Sequence, residues 1–64
     1  MYTDNEWIDI VKKNTKSEGY AISWWIGLAV KMTTKKVNYR LKKLVKNGLL
    51  SSESHRHGIH YKVI

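Results

Sequence analysis

The sequence predicts a small α+β domain: three helices followed by a C-terminal β-hairpin. Three observations carry that class. Val37, Leu41, Leu44 and Val45 fall at i, i+4, i+7 and i+8, one apolar face of a single helix. Two shorter segments upstream carry helix-start signals and apolar residues at helical spacing. After Gly48 the period drops to two, with Ile59, Tyr61 and Val63 on one side and His60 and Lys62 on the other.

Taken in order, Thr3-x-x-Glu6 has the form of a capping box and opens a first helix over about residues 4–14. Trp7, Ile10 and Val11 form its inward stripe, widened by Ile8. Residues 15–19 are a polar connection ending in Gly19, and residues 20–22 are read as a one-bridge strand. Ser23 is expected as the N-cap of a second helix over residues 24–31, with Ile26 and Val30 facing the core. Gly27 would admit the neighbouring helix closely, and Met32 continues the apolar lining. Thr33 or Thr34 caps the third helix, which runs to about Asn47, and Gly48 takes the left-handed C′ position. Residues 49–52 read as a strand, residues 53–58 as the tip of a hairpin, and residues 59–63 as the returning strand.

Length and composition bound the rest. Sixty-four residues make one domain, spanning 1–64, near the lower limit for a self-sufficient core. With no cysteine, neither a disulfide framework nor a thiolate metal site is open to it. Three Trp and four Tyr, with no Phe, supply much of the bulk to be buried. No apolar run reaches membrane-spanning length and the N-terminus has no signal-like apolar region, so a cytoplasmic setting with no membrane partner is expected. No Ser/His/acid arrangement, phosphate-cradling Gly-rich loop or spaced carboxylate pair marks an enzyme, and no small-molecule substrate or cofactor is expected.

The net charge of +7 is unevenly placed: residues 1–30 sum to −1 and residues 31–64 to +8. The third helix concentrates it. Lys35 and Lys36 stand in a first turn where the macrodipole favours acids. Lys36/Arg40 and Lys42/Lys46 are like-charge i,i+4 pairs, each costing about 0.2–0.5 kcal/mol. No Asp or Glu lies between residues 19 and 52 to relieve them. A solvated lysine face would normally interleave acids, so the pattern points to a polyanionic partner. A membrane surface would need a broad apolar face opposite the lysines, and here that narrow face is needed for the core.

A short helix, a sharp turn and a basic amphipathic helix form a helix-turn-helix pattern. With the hairpin added, the chain resembles the winged helix-turn-helix family of prokaryotic and phage DNA-binding proteins. The resemblance covers about residues 20–63 and rests on Ile26-Gly27, Thr33, Val37, Leu41, Leu44, Asn47-Gly48-Leu49 and Tyr61. Within that family, small pilus-operon regulators are close in size. They carry a Tyr in the basic helix, as Tyr39 is here, and an Arg-x-Gly wing ending in an aromatic, as Arg56-His57-Gly58 and Tyr61 are here. The left-handed-DNA-binding branch shares an Asn at the position of Asn38. This chain has neither that branch's proline-rich wing with its Trp nor its helix Tyr, Lys42 standing there instead.

The resemblance implies a third helix in the major groove and a wing on the flanking backbone of double-stranded DNA. The helix contacts would be Thr33, Thr34, Lys35, Lys36, Asn38, Tyr39, Lys42, Lys43 and Lys46, and the wing contacts His55, Arg56 and His57. Lysines suit phosphates, whereas Asn38 and Tyr39 are the better base-edge candidates, with Thr33 and Thr34 able to meet a base or a thymine methyl. Three histidines invite a metal reading, yet only Glu53 could join them and a hairpin offers no preformed cage, so no metal is expected. Phosphate contact by the wing, stronger below about pH 6.5, is the expectation instead. Trp24 and Trp25 are adjacent and cannot both lie on one stripe; the exposed one is a candidate for pairing two copies on DNA. The alternative from another class is a protein-interaction module, an adaptor or inhibitor docking on an acidic protein surface.

Overall fold

The computed structural model describes residues 2–64, and their order is α1 (Asp4–Asn14), β1 (Ala21–Ile22), α2 (Ser23–Val30), α3 (Thr34–Lys46), β2 (Leu50–His55) and β3 (Gly58–Val63). It is an α+β domain of three helices and one three-stranded antiparallel sheet in the order β1-β3-β2. No helix is long and apolar enough to cross a membrane among the described residues.

The helix ends follow their local chemistry. Thr3 and Glu6 complete the capping box, the Glu6 N–H donating to Thr3 Oγ1 at 3.2 Å and the Thr3 N–H to Glu6 Oε1 at 2.9 Å. The Thr3 N–H, donating to the charged form, is the largest cause that holds the Glu6 carboxyl below its ordinary value. Thr33, not Thr34, caps α3, its hydroxyl oxygen accepting from the Lys36 N–H at 3.2 Å. At the other end Asn47 is the cap and Gly48 has φ +79°, a conformation a side chain would strain. The N–H groups of Gly48 and Leu49 then reach back to the carbonyls of Val45 and Leu44, both at 3.0 Å, which completes a Schellman end.

Ser23 is not the cap of α2. Ile22 occupies that position with no side-chain bond, because the last residue of β1 is paired to His60 and leads straight into the helix. Ser23 is instead fully buried, its hydroxyl oxygen meeting the Ile59 N–H in a long contact of 3.4 Å. The helix also ends earlier than the spacing suggested, at Val30, with Lys31 in the left-handed region at φ 56°. Gly27 faces the chain's own turn: a Cβ there would lie 2.9 Å from the Met32 carbonyl oxygen.

The core lies between the helices and one sheet face. Trp7, Val11, Ala21, Ile26, Val37, Leu41, Leu44, Leu50 and Tyr61 fill it, with Ile8, Ile10, Val30, Met32, Val45, Ile59 and Val63 packed around them. The register Leu50↔Val63, Ser52↔Tyr61, Ser54↔Ile59 puts these residues on the inner face, as the alternation required. The strand pairing runs further than residues 49–52: β2 continues to His55, which shortens the tip to Arg56 and His57.

Candidate nucleic-acid interface

The α3 helix turns its charges to solvent. Lys35, Lys36, Lys42, Lys43 and Lys46 are all exposed, as are Thr33 and Thr34, while Val37, Leu41 and Leu44 hold the opposite face in the core. Tyr39 stands among the lysines at 61% exposure, with Lys43 Nζ 4.6 Å from its ring centroid. The Lys13–Asp9 ion pair and the His55–Glu53 contact, the two charged-group contacts among the described residues, leave α3 out. Its cations are therefore uncompensated within the fold, and the first turn directs its N–H groups toward the same end.

Asn38 sits on the flank that faces the hairpin. Its Oδ1 accepts from the Tyr61 hydroxyl at 2.7 Å, joining α3 to β3. Tyr61 is fully buried, and burial pushes its phenol up to about 12. A bidentate contact to adenine uses both the oxygen and the nitrogen of an Asn amide. In this structure the oxygen is engaged and Asn38 is half-buried, whereas Tyr39, the other residue expected to meet base edges, is exposed.

The hairpin is anchored to α3 at one level and projects from it at another. From Tyr61 to the tip is four residues of extended chain, roughly 13 Å, while the start of α3 lies four helical residues before Asn38, roughly 6 Å. His55, Arg56 and His57 are exposed there. His55 Nε2 lies 2.9 Å from Glu53 Oε1, and the His57 and His60 Nε2 atoms are 2.6 Å apart. On the other flank of α3, Lys35, Lys36 and Arg40 rim a groove of about 720 Å³ whose walls include Tyr2, Trp7, Met32 and Tyr39.

The two neighbouring tryptophans separate. Trp25 is half-buried, stacked on Tyr20 with centroids 6.2 Å apart and covered by Lys16 Nζ at 5.4 Å. Trp24 is 45% exposed and meets Trp25 edge-on. Leu28, one turn further along α2, is 72% exposed and is not among the residues the sequence marks for the surface. The i,i+4 spacing from Trp24 is the signal that finds it. His60 belongs to the histidine trio considered for a metal but not to the expected wing contacts. It is buried, and only the strand register shows that it shares a face with His55. Compared with protein-family models, characterised proteins and solved structures, the chain matches none.

Proposed function

We propose that the chain binds duplex DNA in the manner of a winged helix, with α3 in the major groove and the β2–β3 hairpin on the flanking backbone. The observation that carries this reading is the helix of exposed, unpaired cations around Tyr39, built on a stable core face rather than on a floppy tail. A helix fits a B-form major groove, whereas the deep narrow groove of duplex RNA does not admit one. Lys35, Lys36, Lys42, Lys43 and Lys46 neutralise phosphates, and Tyr39 meets base edges, with Thr33 and Thr34 at the helix start. The amide nitrogen of Asn38 donates from the wing-side flank. The biological role that suits such a module is a small cytoplasmic transcription regulator or an accessory factor on phage or plasmid DNA.

Selection of bound fragments from a random duplex library, followed by a salt titration of the best site, tests this directly. If about five or six phosphates are neutralised, log K falls against log[salt] with a slope of roughly −4.5 to −5.5. A recovered sequence motif with that slope supports base reading on an electrostatic footing. A slope near zero, or no binding at about 50–100 mM salt, would transfer the basic face to an acidic protein partner.

A further inference from the structure

Three imidazoles and a phenol form one assembly on the sheet face turned away from the core. The pairing of Glu53 with His60 and of His55 with Gly58 sets it, since residues opposite one another share a face. Tyr20 lies flat against His60, centroids 3.8 Å and planes 5° apart. His55 lies against His60 at 3.9 Å and 24°. Two rings cannot occupy one side of an imidazole, so His60 is sandwiched between them. His57 reaches in from the turn to bring its Nε2 to 2.6 Å from that of His60.

This contact has a strict proton count. Two imidazole nitrogens attract each other only with one proton between them, one ring donating and the other accepting. Two neutral rings meet the condition in opposite tautomers. One added proton also meets it, because the cationic ring still donates through Nε2 and carries its second N–H at Nδ1. A second added proton does not, since both Nε2 atoms would then bear hydrogens. The pair therefore takes one proton without rearrangement and resists another.

The surroundings set how readily that proton enters. Burial, then His55 and His57, then Lys62 hold His60 below its ordinary value, against the opposing pull of Glu53 on β2. Glu18, Tyr20 and Lys62 line the same depression of about 640 Å³. Trp25 of α2 stacks beyond Tyr20, with the Lys16 ammonium above it. Arg56 stands between His55 and His57 in the turn and is exposed. No three of the described His, Asp or Glu side chains converge as metal ligands, because His55 stacks on its neighbour instead of sharing a centre with it.

We propose that the hairpin tip is a proton-coupled phosphate site, in which the His57–His60 pair takes up one proton from solvent as a backbone phosphate of a bound duplex settles beside it and Arg56. The inference rests on the duplex-binding reading and adds that free and bound states hold different numbers of protons. A phosphodiester oxygen, carrying negative charge, favours the cationic pair and accepts from its outward N–H. Arg56 supplies the part of the attraction that does not vary with pH.

The test is calorimetric titration of the full chain with its selected duplex near about pH 6.5, in two buffers of different ionisation enthalpy, repeated with His57→Gln and Arg56→Gln. Wild type is expected to take up between about half and one proton per site, and to bind about tenfold tighter at about pH 5.5 than at about pH 7.5. His57→Gln should flatten the pH profile and abolish the uptake. Arg56→Gln should weaken binding by a similar factor at both pH values and keep the uptake. Tight binding by wild type with no proton uptake, or equal uptake by His57→Gln, overturns the proton coupling while leaving duplex binding intact. Absence of duplex binding by wild type at either pH overturns the duplex reading and this inference with it.

Discussion

Asn38 and Tyr61 hold their hydrogen bond from unequal surroundings, the phenol fully buried and the amide partly exposed. Asn38→Ala strands a buried hydroxyl, at a cost of about 1–3 kcal/mol, whereas Tyr61→Phe leaves an amide that water can reach, at about 0.5–1.5 kcal/mol. Denaturant unfolding should therefore rank Asn38→Ala as the less stable variant. Equal midpoints would mean the bond does not join helix to hairpin in solution. The alternation of residues 59–63 was enough to place Tyr61 inside, but a partner 23 positions earlier leaves no local trace in the chain. His60 supplies the pH dependence at this scale. Burial first, and then its histidine neighbours, put its folded value below the ordinary 6.5. Between those two values the unfolded chain binds more protons than the folded one. Stability from this group is thus fully present above about pH 6.5 and is lost as pH falls through the lowered value. Melting temperature should decline on that acid side, and His60→Phe, which keeps a flat ring in the stack, should remove this part of the decline. An unchanged acid slope in His60→Phe would assign the loss to other groups.

Among the elements, the turn between α2 and α3 is the most constrained. Gly27→Ala should gain about 1 kcal/mol from helix propensity alone. The added Cβ, however, would stand 2.9 Å from a backbone carbonyl, that of Met32, and the Gly27 carbonyl itself accepts from the Met32 N–H. Backbone cannot step aside as a flexible side chain would, and overpacking of this kind costs about 1–3 kcal/mol. The expected net effect is a loss of up to about 2 kcal/mol, read as a lower denaturant midpoint with helical circular dichroism unchanged. A higher midpoint would show that the turn yields. The sequence marked Gly27 for a close approach but attributed it to the neighbouring helix, since spacing reveals room without revealing what fills it. The caps of α1 and α3 and the α3 apolar face were legible because each is a local bond or a single period, whereas Ser23 has a cap's chemistry but is buried against β3. The length of β2 was not: Ser51–His55 are polar and exposed on both faces, so no alternation of apolar residues announces the strand. Pairing with β3 holds it, and that is a non-local interaction.

At the scale of the whole molecule, the uneven charge decides where a second copy could sit. Residues 31–64 sum to +8, so two copies meeting through α3 or the hairpin would repel. The α2 helix, SWWIGLAV, has no charged residue, and it presents Trp24 and Leu28 one turn apart on its exposed side. A winged helix reads a short site, and most specific regulators double it through two-fold symmetry. If the chain binds duplex DNA as proposed, the expected state is a monomer at micromolar concentration that pairs on DNA through α2, across half-sites about 10–10.5 base pairs apart. Trp24 is a poor probe of this, because its ring edge would lie 3.6 Å from a Cβ at Gly58 and it therefore supports the hairpin. Trp25 is poorer still, being stacked on Tyr20. Leu28 at 72% exposure supports almost nothing in the free chain, so Leu28→Ser should leave folding and single half-site affinity nearly unchanged. On a two-half-site duplex it should remove the cooperativity, seen as loss of the excess of doubly bound complex in a mobility-shift titration. If Leu28→Ser keeps that excess, or if selected sites carry no dyad, α2 is not the surface that pairs two copies.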